Sequence, residues 1–239
     1  MAARDNREYY DEFADWYEKE RHHGYHAMID DLEVDLVLPH AQGKDVLEIG
    51  CGTGLILTRI AEVAATARGV DISPGMLEGA RRRGLDVVEG SATALPFDDC
   101  SFDLVYSFKV LAHVEEIGTA LQEAARVLRP GGEAVLEFYS RRSLRYLAKR
   151  LGGAGKISDS TDESAVFTRW DEPSDLLAAV PSCFTLQRIA GVRVFTPAAV
   201  VHRVPGLRRV IRKAEFLARD APVLRRWGGF LVLILSKRS

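Results

Sequence analysis

Cysteine is scarce in this chain. Only Cys51, Cys100 and Cys183 occur, and no two form a CxxC pair. A scattered, odd-numbered set argues against a disulfide framework or a zinc site, so reduced thiols and a cytoplasmic setting are expected. Long apolar runs are missing as well. The longest, Phe230 to Leu235, falls far short of the ~20 residues that a membrane-spanning helix requires. The opening residues Met1 to Glu8 lack the apolar centre of a signal peptide. Nor does positive charge dominate. The net charge is −2, so no global basic field advertises nucleic acid as a partner. Internal repeats and low-complexity tracts do not occur.

The chain does have the composition of a folded domain. Apolar residues make up 47% and charged residues 28% of 239 positions, enough for one domain with a well-buried core. Its most informative stretch is Val46-Leu47-Glu48-Ile49-Gly50-Cys51-Gly52-Thr53-Gly54, followed at once by an apolar-periodic segment from Leu55. That order predicts a strand, a tight glycine turn and the start of a helix. Glycines suit such a turn because they take positive φ and let a ligand lie against bare backbone.

Upstream, residues 5–38 are expected to be helical. Tyr9, Tyr10, Phe13, Trp16 and Tyr17 recur at three-to-four spacing, which suits core packing or a lid over a ligand. The donor-rich stretch Arg21-His22-His23-Gly24-Tyr25-His26 has no clean metal-binding spacing, so no metal is expected there. Pro39 and Gly43 predict a break, and Asp45–Ile49 the first strand. Leu57, Ile60, Ala61 and Ala64 share one helical face. Further strands are expected at 67–72, 85–89, 102–107, 134–138, 184–189 and 230–236. Helices are expected from Pro74, over 117–128, around Leu144 to Leu151, over 176–180 and across much of 196–226. Lys156 to Thr168 reads as a polar connection. Strands alternating with helices indicate an α/β fold with a doubly wound, mostly parallel sheet. The expected organisation is a single domain over 1–239. Within it, 1–40 forms an N-terminal helical lid and 44–139 a cofactor-binding core. Residues 140–239 carry acceptor-side insertions, a helical one included, and the last two strands.

The spacing also narrows the ligand. A dinucleotide fingerprint has its third glycine three positions after the second, which here would be Leu55; this chain has Gly54 instead. Asp71 follows Gly54 by 17 positions, at the end of the second strand, where a carboxylate can accept both ribose hydroxyls. Glu48 places a second carboxylate before the turn, and no lysine or arginine stands inside it. A pyrophosphate would be poorly served; a cationic ligand with ribose and amino-acid ends would be well served.

These residues carry a resemblance. The glycine stretch is followed by Gly69-Val70-Asp71-Ile72-Ser73, then by Leu95-Pro96-Phe97 with Ser101-Phe102-Asp103-Leu104-Val105. Ala125-Arg126-Val127-Leu128-Arg129-Pro130-Gly131-Gly132 completes the series. In this order the chain resembles the class I S-adenosylmethionine-dependent methyltransferases of small molecules and lipids, over roughly residues 44–138. Tyr10-Asp11 with Ala14 and Tyr17 resembles that family's opening helix, and Tyr17 joins the implied cofactor site. The resemblance implies a seven-stranded Rossmann-like sheet and S-adenosyl-L-methionine as cofactor. It places Glu48, Gly50, Cys51, Gly52 and Gly54 at the methionine end and Asp71 on the ribose. Ile72 and Met76 would pack on the adenine, and Ser91 with Ala92 would approach its amino group. The family often carries aspartate where this chain has Ser91, which leaves the backbone at Ala92 as the contact untouched by the change. Ser107 and Phe108 would border the transferred methyl.

Methyl transfer from a sulfonium is an in-line displacement that rests on alignment and desolvation, without a metal. A hydroxyl or thiol acceptor gains from a general base, and His113 is the candidate. Two basic clusters, from Arg141 to Arg150 and from Arg203 to Arg226, read either as solvated helix faces or as a surface for anionic lipid or a carrier-bound acceptor. The expected partner is a small-molecule acceptor, with no nucleic acid. The alternatives are an S-adenosylmethionine-binding protein without catalysis and, disfavoured by the glycine spacing, a dinucleotide-dependent oxidoreductase.

Overall fold

The computed structural model describes residues 10–11, 24–152, 167–196 and 205–239. Helix α1 (Tyr25–Ala41) leads into β1 (Asp45–Ile49), α2 (Leu55–Ala61), β2 (Thr66–Asp71), α3 (Pro74–Arg82) and β3 (Asp86–Glu89). Then come β4 (Phe102–Ser107), a 3-10 turn (Leu111–His113), α4 (Ile117–Val127) and β5 (Leu128–Tyr139). The remainder comprises α5 (Leu144–Gly152), α6 (Pro173–Ala179), β6 (Phe184–Val192), α7 (Pro205–Ala218), a 3-10 turn (Leu224–Trp227) and β7 (Phe230–Lys237).

The strands form one seven-stranded sheet in the order β3-β2-β1-β4-β5-β7-β6. The first five run parallel, and β7 is antiparallel to both β5 and β6. The sheet is therefore doubly wound, as the alternation predicts, with its order reversing at β1. Ile49, Asp71, Ser107, Tyr139 and Val192 all end strands on one edge, and Phe230 opens β7 opposite Tyr139 and Val192. In open sheets of this kind ligands bind outside the carboxyl ends, at the switch in strand order.

Two apolar layers sandwich the sheet. On one face α4 buries Ala120, Leu121 and Ala124 against Leu47, Val105 and Leu136. On the other α1 buries Leu32 and Val37 against Val46, Leu104 and Val135. Helix α1 thus belongs to the core, which corrects the expected lid for the 25–41 part of the chain. It also runs through Pro39 to Ala41 rather than breaking there. The proline falls in the last turn, where fully buried Val37 and Ala41 on either side hold the helix. The crossover helix α2 is shorter than its pattern, so Ala61 is exposed and Ala64 lies past its end. Strand β5 starts at once after α4 and carries Pro130 and Gly131 inside it, whereas 134–138 was the expected span. Among the described residues of 196–226, the helical parts are α7 and the short turn at 224–227.

Arg126 joins the Leu95-Pro96-Phe97 stretch to α4. Its guanidinium donates to the carbonyls of Leu95 and Phe97 and to Glu123, while Glu123 accepts from Leu95 N–H at 2.8 Å. The loop before β4 is so tied to the helix after it. Among the described residues no helix is long and apolar enough to cross a membrane.

Candidate active site

The glycine turn between β1 and α2 opens a cleft lined by Glu48, Gly50, Cys51, Thr53, Leu55, Ile56, Phe108 and Lys109. Its glycines serve different ends. All three take positive φ, at 74°, 53° and 81° for Gly50, Gly52 and Gly54. A Cβ on Gly50 would sit 2.1 Å from Val110 Cγ2, and one on Gly54 would sit 2.2 Å from Leu85 Cδ1. Those two positions are bare so that the protein's own side chains fit. Only at Gly52 is there open space, with nothing within 4 Å of a Cβ. The sequence reading gave all three to a ligand; at Gly50 and Gly54 the missing side chain also serves the protein's own packing, and Gly50 still lines the cleft.

Asp71 ends β2 beside this turn. One carboxylate oxygen accepts from Gly52 N–H at 2.8 Å, the other from Ser73 N–H at 3.0 Å. Each oxygen retains a lone pair for a further donor. Burial raises the Asp71 carboxyl, and the hydrogen bonds from Ser73, Gly52 and Ile72 oppose it. Ile72 follows with its side chain 38% exposed at the mouth, while Met76 is buried beneath it in α3. Asp11 reaches the same place, accepting from Ser73 Oγ and from Gly75 N–H at 2.9 Å. Tyr10, its neighbour, lies edge-on to His113 with ring centroids 6.3 Å apart. The Tyr10–Asp11 segment therefore bridges the two sides of the carboxyl edge.

Glu48 is 3% exposed in the floor of the cleft and accepts from Tyr106 Oη at 3.0 Å. Burial holds its carboxyl well above the usual range, against the pull of Tyr106 and Lys109. Thr53, at 1% exposure, lines the same cleft, and its Oγ1 has no hydrogen-bond partner among the described residues. A buried acid and an orphaned hydroxyl over an open glycine suit a ligand carrying an ammonium or other cationic donor. The Cys51 side chain turns away from it. Its sulfur packs on β2, 2.6 Å from where a Cβ on Gly69 would lie, and burial pushes the thiol up.

Past β4 the chain makes a wall between two halves of the edge. Ser107 is fully buried and donates its hydroxyl to the Ile49 carbonyl at 2.8 Å, so its side chain joins β1 to β4. Phe108 does line the cleft. Lys109 takes φ 62° and is held at both ends. Its N–H donates to Glu137 Oε1 at 3.0 Å, and its Nζ donates to Asp30 at 2.9 Å and Glu33 at 2.5 Å. Burial first, and Glu33 second, hold Glu137 well above the usual carboxylate range. Sequence reading missed Thr53, Lys109 and this acid pair.

The other half of the edge is aromatic. His113 packs edge-on to Tyr139 at 5.6 Å, and Tyr139 meets Trp170 at 5.3 Å and Phe230 at 5.0 Å. The Arg145 guanidinium stands 4.4 Å over Tyr139, 4.9 Å over Trp170 and 5.0 Å over Phe230. His113 Nδ1 lies 2.8 Å from the Phe167 carbonyl, which can only accept. The proton therefore sits on Nδ1, and Nε2 is the basic atom. Tyr25, half-buried on the same side under Arg193, is pushed up to about 12 by desolvation and stays neutral.

Of the residues expected from sequence, Glu48, Gly50, Cys51 and Phe108 line the cleft, and Gly52, Asp71 and Ile72 stand beside it at the end of β2. Ser91 commits its hydroxyl to Thr93 at 2.8 Å inside a turn, leaving backbone at Ala92 as before. Tyr17 lies outside the described residues, as do His22, His23 and 156–166. No cluster of metal-ligating groups occurs among the described residues.

A doubly wound sheet, a glycine turn after β1 and a carboxylate ending β2 define a nucleoside-cofactor enzyme. The family described as a methyltransferase domain matches residues 47–136. A demethylmenaquinone methyltransferase of Tropheryma whipplei is 34% identical over 179 residues, covering 67% of this chain and 74% of the relative. An O-methyltransferase of Penicillium expansum is 38% identical over 113 residues, 44% of this chain and 41% of its own. A solved S-adenosylmethionine-dependent methyltransferase from Thermotoga maritima matches with a TM-score of 0.70 at 21% identity, over 96% of this chain and 98% of that one. This last likeness shows the fold. The chain belongs to the class I S-adenosylmethionine-dependent methyltransferases. It is a small-molecule methyltransferase, and S-adenosylmethionine is its cofactor.

Proposed function

We propose that the protein methylates a planar aromatic acceptor bearing an acidic hydroxyl, of the phenol or hydroquinone class, by in-line displacement. The observation that carries this reading is the aromatic wall at the carboxyl edge, with His113 and Arg145 set into it. Tyr139 and Phe230 are buried under Arg145, whereas His113 and Trp170 are partly exposed for a flat ring to stack on, and a guanidinium held among aromatic faces attracts the charge of a phenolate. The Tropheryma relative is named for demethylmenaquinone, a quinone-type acceptor, which favours the same class.

Bound S-adenosylmethionine supplies an electrophilic methyl on a sulfonium that leaves as a neutral thioether. On the protein's side, Glu48, Thr53 and the Gly52 backbone would hold the amino-acid end, and Asp71 with Ile72 the nucleoside end. Phe108 and the clamped Lys109 would exclude water between the halves. His113 Nε2 would take the acceptor's hydroxyl proton, Nδ1 remaining tied to the Phe167 carbonyl. Arg145 would then face the charge that develops on the ring system. A general base is worth roughly 10²–10⁴-fold. His113→Asn should therefore lower turnover by about that factor while the thermal stabilisation by S-adenosylmethionine stays unchanged. Turnover equal to wild type on every phenolic acceptor would remove His113 from the mechanism.

A further inference from the structure

The described residues from α7 to the turn before β7 present an exposed surface that the reaction does not use. Helix α7 is pinned by its inner face. Glu215 is fully buried and accepts from Val194 N–H at 2.7 Å, Phe195 N–H at 3.0 Å and Thr196 Oγ1 at 2.6 Å. Arg212 pairs with Asp31 and Arg219 with Asp35, both on α1, which fastens one flank.

That anchoring fixes what faces outward. Leu207, Val210 and Leu217 are spaced three and seven apart, so they form one stripe, at 42%, 64% and 79% exposure. Arg209 and Lys213, four apart and solvent-facing, run alongside it. The 3-10 turn adds Trp227 at 54% exposure, Leu224 at 40% and the exposed Arg226. The two pieces meet at Gly191, whose N–H donates to the Arg219 carbonyl at 2.8 Å and whose missing Cβ would lie 2.2 Å from the Arg225 carbonyl.

The charge is one-sided. Residues 205–227 contain seven arginines and lysines against Glu215 and Asp220, a balance of +5 in a chain whose net charge is −2. Glu215 is buried, and Asp220 is engaged by Arg188 and Arg219. Apolar side chains and a tryptophan flanked by outward cations are what a helix lying in an anionic lipid interface requires. The placement agrees. Gly191 and Val192 end β6, so the patch shares the sheet's carboxyl edge with the aromatic wall, through Phe230.

We propose that α7 and the 224–227 turn dock this enzyme on an anionic bilayer, with the acceptor side of the active site next to the lipid. The docking is independent of which acceptor is methylated.

The test is co-sedimentation of the full chain with phosphatidylcholine vesicles, with and without phosphatidylglycerol, at low and high salt. Binding is expected only to the anionic vesicles and should weaken with salt. Arg209→Glu with Lys213→Glu should reduce partitioning at least about tenfold. Val210→Asp with Leu217→Asp should reduce it similarly. All four positions are exposed, so the thermal shift given by S-adenosylmethionine should be unaltered in both variants. Failure of the wild type to bind anionic vesicles, as for a surface serving an acidic protein, would overturn the proposal. So would binding that survives both double substitutions. Methyl transfer to soluble acceptors is read separately and stands or falls apart from this result.

Discussion

Glu48 illustrates how a residue can be assigned by spacing yet have its chemistry set by burial. Its position before the glycine turn was legible because four strand residues run straight into three glycines. Its protonation was not. Burial raises its carboxyl far above the ordinary value of 4.5, so the free protein keeps it neutral. A cation brought into the cleft favours the charged form, and binding therefore releases a proton. S-adenosylmethionine affinity should rise with pH up to the raised value of the free protein and level off beyond it, and Glu48→Gln should flatten that slope. Calorimetry in buffers of different ionisation heat reads the proton directly. Folding stability moves the other way. A group that binds its proton more tightly when folded contributes stability below the unfolded value, and this is lost as pH rises through the folded one. Thr53 shows the opposite limit of legibility. A threonine between two glycines signals nothing by itself; its unpartnered hydroxyl emerges only once the turn is closed around it.

At the scale of elements, the loop from Ser107 to His113 decides how the site is divided. Lys109 sits in left-handed backbone, which a side-chain-bearing residue adopts only where its surroundings impose it. Here they do, through Glu137 on the backbone and Asp30 with Glu33 on the ammonium. Lys109→Met would leave Asp30 and Glu33, with buried Glu137 beside them, without their cation. It should destabilise the protein by about 3–5 kcal/mol, as breaking a buried ion pair does. Glu137→Gln keeps an acceptor for the Lys109 N–H and should cost less, about 1–3 kcal/mol. Urea unfolding at fixed pH compares the two; equal and negligible losses would show that the clamp bears no load. None of this could be read from sequence, because Lys109 lies 79 and 76 positions from its acid partners. Local periodicity resolves elements, not which loops they bring face to face. The same limit explains α1. Its apolar spacing was visible, but whether it covered a ligand or the sheet depended on packing.

Across the whole molecule, the parallel half of the sheet was legible because each βα unit repeats the same switch from strand to helical period. Beyond β5 the regularity weakens. There the antiparallel β7 and the insertions follow tertiary contacts such as Glu215 with the end of β6. The carboxyl edge gathers the cofactor cleft, the aromatic wall and the basic patch onto one side of the protein. A cofactor at a hundred times its Kd should stabilise the fold by about 2.7 kcal/mol, a shift of roughly 5–10 °C for a chain of this size, whereas NAD should give none. The most direct measurement incubates the protein with isotopically methyl-labelled S-adenosylmethionine and a panel of phenol, hydroquinone, amine and thiol acceptors. It follows label and S-adenosylhomocysteine together. The expected result is equal amounts of labelled product and S-adenosylhomocysteine, formed with phenolic or hydroquinone acceptors. Turnover confined to amines or thiols, with the phenolic compounds inert, would contradict it.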